Sequence, residues 1–135
     1  MTAGYSKTPL MQKLGIKPGF RLIILNSPPG YAATLGPLPA EVTVAETLAG
    51  PLDFIHFFSQ HRAELEANFP RLKQALALTG MLWISWPKKA AKVPTDVTDS
   101  VVREIGLANG LVDVKVAAVD EVWSGLKFMY RVKDR

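Results

Sequence analysis

His56 and His61 are the chain's two histidines, five residues apart. Such a pair could hold a metal ion or relay a proton. A metal site needs a third ligand, and no acidic residue is expected to complete this one. His56 stands inside the apolar run DFIHFF, which predicts a hydrogen-bonded core histidine in a strand. His61 predicts an exposed residue in the first turn of a helix. Other polar groups able to do chemistry follow apolar runs. The stretch NSPPGY offers Asn26, Ser27, Gly30 and Tyr31. Ser59 and His61 follow DFIHFF. WPKKAAK offers Lys88, Lys89 and Lys92, whose charges could close over a phosphate or carboxylate. Asp120 and Glu121 are adjacent, so on a strand they point to opposite faces and make no acid–base dyad. Ser124 lacks the G-x-S-x-G context of a nucleophile elbow. With no cysteine, thiol catalysis, disulfides and cysteine-bound metals are excluded. No catalytic constellation emerges.

Only secondary structure can bring these groups together. A short helix over SKTPLMQKLGIKPG, with Leu10 and Leu14 on one face, is predicted to lie against the first strand. That strand runs over Phe20–Asn26 and is apolar on both faces, as interior parallel strands are. EVTVAET predicts a short strand with Val42 and Val44 alternating, and DFIHFFS a continuous apolar one. A helix follows on Leu65, Phe69, Leu72 and Leu76, kinked or restarted at Pro70 and ending near Gly80. MLWISW is the fourth strand. TDVTDSVVREIGLANG is a helix capped by Thr95, Asp96 or Thr98, burying Val97, Val101, Ile105 and Ala108. LVDVKVAAVD and LKFMYRV, joined by a turn at EVWSG, make an antiparallel hairpin. Strands separated by helices imply crossovers and a mostly parallel sheet. The expected fold is therefore α/β: a three-layer, Rossmann-like sheet of about six strands ending in an antiparallel hairpin, one domain over 1–135. Ligands of such sheets gather where strand order reverses, here between the first strand and DFIHFF. That edge should unite Asn26–Tyr31, Ser59–His61 and Lys88–Lys89 around a small anionic or polar ligand.

This order of elements resembles the class I S-adenosylmethionine-dependent methyltransferases, from about Leu14 onward. LGIKPGFRLIIL looks like the entry to their first strand, and ALTGMLWISWPK like a late helix feeding the next strand through a glycine turn. The resemblance implies an acidic residue in strand one followed by three glycines that hold the cofactor. At those places this chain has Ile24, Asn26 and Pro28, and only Gly30 survives. Glu46 matches the acid that binds ribose hydroxyls. Proline removes an N–H donor and adds bulk where the backbone must approach the ligand, so no cofactor is expected. The phrases YSKTPLMQKLGIKPG, WPKKAAKVPTDVT and VDVKVAAVDEVWSGLKFMYRVKDR resemble, more closely, a bacterial family designated as a domain of unknown function. That resemblance implies a lineage and brings no activity.

The chain has 135 residues, 48% hydrophobic and 21% charged, enough for a real core. The net charge of +4 is mild, and Lys7, Lys13, Lys127, Arg131 and Arg135 look scattered, so nucleic acid is not expected as a partner. No apolar run approaches the roughly 18 residues of a membrane span. The first residues lack the apolar core of a signal peptide, which predicts a cytoplasmic protein. The expectation is a non-catalytic module that binds a small ligand or a protein. The alternatives are a small methyltransferase with an atypical cofactor loop, and a structural subunit that homodimerises through a sheet edge.

Overall fold

In the computed structural model the runs that are apolar on both faces become interior strands. The structure describes residues 8–135. Six strands form one sheet: β1 (Arg21–Leu25), β2 (Thr43–Val44), β3 (Leu52–Phe58), β4 (Leu76–Pro87), β5 (Leu111–Ala118) and β6 (Trp123–Tyr130). Their spatial order is β2-β1-β3-β4-β6-β5. The first four run parallel, and β6 is antiparallel to both β4 and β5. The architecture is α/β with a mixed, mostly parallel sheet and a C-terminal antiparallel hairpin.

Side chains alternate across the sheet and so build two cores. On one face α3 (Arg62–Ala75) and α4 (Asp99–Ala108) lay Leu65, Phe69, Leu72, Val102 and Ile105 against Ile55, Ile84 and Phe128. On the other, two five-residue helices, α1 (Leu10–Leu14) and α2 (Tyr31–Leu35), cover Leu22, Phe54, Phe58, Trp83 and Trp123. The indole of Trp83 donates to the carbonyl of Leu14 at 2.9 Å, which ties α1 to the sheet. The short helix expected to begin at Ser6 starts at Leu10, and Ser6 and Lys7 lie outside the described residues. Fully buried Phe54, Phe58, Phe69 and Phe128 each contribute about 1.5–3 kcal/mol of apolar burial.

Several boundaries differ from expectation. α3 ends at Ala75, not near Gly80, and Leu76 opens β4 by pairing with Leu52. A Cβ on Gly80 would stand 2.8 Å from the carbonyl oxygen of Leu52, so this glycine admits a close strand rather than capping a helix. Pro70 does not divide α3, because Phe69 and Leu72 on either side of it are both buried. The second strand shrinks to two exposed residues at the sheet edge. The last turn is tighter than EVWSG: Asp120 accepts from the N–H groups of Val122 and Trp123 at 2.8 and 2.7 Å, and Trp123, Ser124 and Gly125 already belong to β6.

Thr98 is the residue that caps α4, accepting from the Val101 N–H at 3.3 Å. The helix buries Val102, Ile105 and Gly106, while Val101 is half-buried, Ala108 is exposed and Val97 packs just ahead of the helix. Asp96 and Thr95 serve α3 instead. Asp96 accepts from the Arg62 N–H at 2.7 Å, and the Thr95 hydroxyl donates to the Gln60 carbonyl at 2.7 Å. The loop before α4 thereby fixes the segment that follows β3.

Candidate functional site

β1 pairs with β2 on one side and β3 on the other, all parallel, so strand order reverses between β1 and β3. A crevice of about 270 Å³ opens at their C-terminal ends, lined by Asn26, Pro28, Pro29, Ser59, His61 and Glu64 among others. Its mouth is shaped by backbone geometry. Asn26 has φ of 60° and Gly30 φ of 85°, both in the left-handed region, and between them the two prolines supply no N–H. The Tyr31 N–H bonds back to the Pro28 carbonyl at 3.2 Å, closing the turn onto itself. The Asn26 amide donates to the Phe58 carbonyl at 3.3 Å, bridging the two strand ends between which a ligand of this sheet type sits.

Of the residues the sequence assigned to one site, only some meet here. Asn26, Ser59 and His61 line the crevice; Ser27 and Gly30 are exposed outside its lining. Tyr31 is a core residue. It is 4% exposed, and its hydroxyl lies 2.7 Å from His56 Nδ1, so it offers no polar contact to a ligand in the crevice. Lys88 and Lys89 line a different cavity, beside Trp86 and Ser124. The expected single edge is split because consecutive residues of β6, Trp123 and Ser124, face opposite sides of the sheet; Trp123 lines the crevice and Ser124 the other cavity.

Ser59 is buried and engaged. Its hydroxyl lies 2.9 Å from Glu64 Oε1 and 3.1 Å from the His61 carbonyl, and it accepts from the His61 N–H at 3.3 Å. A serine nucleophile needs a base that takes its proton and a third group orienting that base. Here the hydroxyl's partner is a carboxylate, and the imidazole of His61 projects from the N-cap of α3 without a capping bond. Glu64 was passed over in the sequence, whereas Gln60 lies within the Ser59–His61 stretch assigned to the edge. The signal for Glu64 was its place in the first turn after a serine-bearing loop, where a carboxylate is favoured by the helix N-terminus.

His56 is the core histidine its strand context predicts. It is fully buried, with Tyr31 Oη at 2.7 Å from Nδ1 and Ser85 Oγ at 2.7 Å from Nε2. Phe58 stacks on its ring at 4.1 Å between centroids. Burial pushes the His56 pKa down to about 3 and the Tyr31 phenol above its ordinary range. The imidazole is neutral at pH 7, both nitrogens are used, and the network serves the interior. Among the described residues no three His, Asp or Glu side chains are grouped to hold a metal ion.

No family model matches the sequence, nor does any curated protein. Solved structures do match the fold. An S-adenosylmethionine-dependent methyltransferase from Aquifex aeolicus aligns with a TM-score of 0.65 at 16% identity, covering 90% of this chain and 88% of that one. The N-methyltransferase NodS from Bradyrhizobium japonicum aligns at 0.60 and 15%, over 87% and 90%. Magnesium protoporphyrin IX methyltransferase from Synechocystis, solved with bound S-adenosylmethionine, aligns at 0.62 and 13%, over 90% and 74%. The topology is methyltransferase-like. In the loop after β1 the two prolines supply no N–H donor and the Asn26 amide reaches across to the Phe58 carbonyl; Ile24 and Pro28 hold the places where the resemblance implies an acid and a glycine. Glu46, at the place where the resemblance implies a ribose-binding acid, is exposed just beyond β2.

Proposed function

We propose that this chain is a non-catalytic binding module on a methyltransferase-like fold, with a small polar or anionic ligand as its partner at the β1–β3 crevice. The supporting observation is the Asn26–Gly30 turn, whose prolines and Asn26-to-Phe58 bond narrow the edge where a larger cofactor would lie. The crevice falls just below the roughly 300 Å³ at which ligand pockets for drug-sized molecules begin. His61, Glu64 and Gln60 offer donors and acceptors there, and no activated nucleophile accompanies them among the described residues. The phrases quoted from the sequence support placing the chain in the bacterial family they resemble.

Isothermal titration with S-adenosylmethionine tests this reading. No saturable binding is expected. Micromolar binding, weakened by Glu46→Ala, would overturn it in favour of the methyltransferase reading that the structural neighbours favour; a methyl-transfer assay with varied acceptors would then follow.

A further inference from the structure

The cavity that takes Lys88 and Lys89 is the larger of the two, about 590 Å³, within the range of small-molecule sites. It lies across the sheet from the crevice, between the end of β4, the 88–98 loop and the start of α4. Trp86, Val97 and Val116 give it an apolar floor. Trp86 and Val97 belong to the core, but Val116 remains 60% exposed on β5, the edge strand of the sheet. A β-branched side chain left in water on a sheet face gains when an apolar body covers it.

The polar groups are few and unequal. The Thr95 hydroxyl is held by Gln60 and the Val97 N–H, and the Thr98 hydroxyl caps α4, so both brace the wall. Lys88 and Lys89 form no hydrogen bond or salt bridge through their ammonium groups among the described residues, and neither does the hydroxyl of Ser124. One carboxylate, Asp99, also lines the cavity and accepts from the Ser100 N–H at 2.8 Å. Two cations against one anion leave a single positive charge over an apolar floor. We infer that this cavity binds a small carboxylate with an apolar body, its ring or chain on Trp86, Val97 and Val116 and its charge held by Lys88 and Lys89. The site is separate from the β1–β3 crevice and stands without it.

Titration of the full chain with 2-naphthoate, followed by amide NMR, tests the inference. Saturable shifts are expected at Trp86, Val97, Val116 and Ser124. The neutral analogue 2-naphthamide should bind about tenfold more weakly, as should naphthoate to Lys88→Gln/Lys89→Gln, the loss expected for one charge-assisted contact. Val116→Glu sets a carboxylate in the floor of the site and should weaken naphthoate by at least as much. Val116 is exposed, so this variant should keep the parent spectrum elsewhere, which the same data report. Equal binding of acid and amide, undiminished binding by Val116→Glu, no saturation in the millimolar range, or shifts gathered at Asn26, Ser59 and His61 would each overturn the inference. The last pattern would also leave the crevice reading intact.

Discussion

At the scale of single residues, the buried imidazole of His56 couples folding to pH. A neutral imidazole has one donor and one acceptor, and the hydroxyls of Tyr31 and Ser85 can serve as either, so both nitrogens are satisfied without a charge. The folded-state value of about 3 lies below the ordinary 6.5. Between those values the unfolded chain binds the proton and the folded one does not. The contribution of His56 is therefore fully present above about pH 6.5 and is lost as pH falls toward 3, by about 1.4 kcal/mol per pH unit. Urea midpoints measured from about pH 7 down to about pH 4.5 should fall, and His56→Gln should show a flatter dependence. An equal slope in both proteins would remove His56 as the cause. The strand context of DFIHFF announced this residue. It did not announce Tyr31 as a partner, because the two meet only when α2 folds over β3.

At the scale of elements, α4 meets the sheet at Gly106. A methyl group there would run into the Phe128 ring of β6, and Phe128 is itself pinned edge-on against Phe69 of α3 at 5.6 Å between centroids. Gly106→Ala raises helix propensity, yet it should lower stability by about 1–3 kcal/mol, the usual cost of overpacking. Thermal unfolding measures this, and an unchanged or raised midpoint would show that the helix can shift outward. The same competition explains the misplaced boundaries. Leu76 reads as the end of an apolar helical stripe, but it pairs with Leu52 of β3 and is buried there. Pro70 reads as a break, but Phe69 and Leu72 anchor the helix on both sides of it. In both places a contact distant in sequence outweighs a local preference.

At the scale of the whole molecule, the fold gathers charge that the sequence disperses. Lys13 is held below the usual lysine range by burial and by the nearby Lys88 and Lys115, and Lys127 by burial and by Lys115 and Lys17. Lys13 and Lys127, which look scattered along the chain, thus join one basic region. Like charges so placed repel, and salt screens them; the Debye length falls from about 30 to about 8 Å between about 0.01 and 0.15 M. The unfolding midpoint should rise over that range of sodium chloride, and Lys115→Gln should reduce the rise. A midpoint that does not change with salt would mean that the lysines do not act together. The sequence by itself determined the doubly apolar strands, the α/β class, the position of the strand-order reversal and the loss of N–H donors at Pro28 and Pro29. These follow from residue type and from periods of two and 3.6, which are properties of near neighbours. Only the tertiary structure decided that the residues assigned to one ligand edge divide between two cavities, that the Tyr31 hydroxyl is consumed in the core, and that Glu64 joins the crevice. Strand register fixes which face each side chain takes, and burial fixes which polar groups are already satisfied. Both depend on partners brought in from far along the chain, which no local pattern carries.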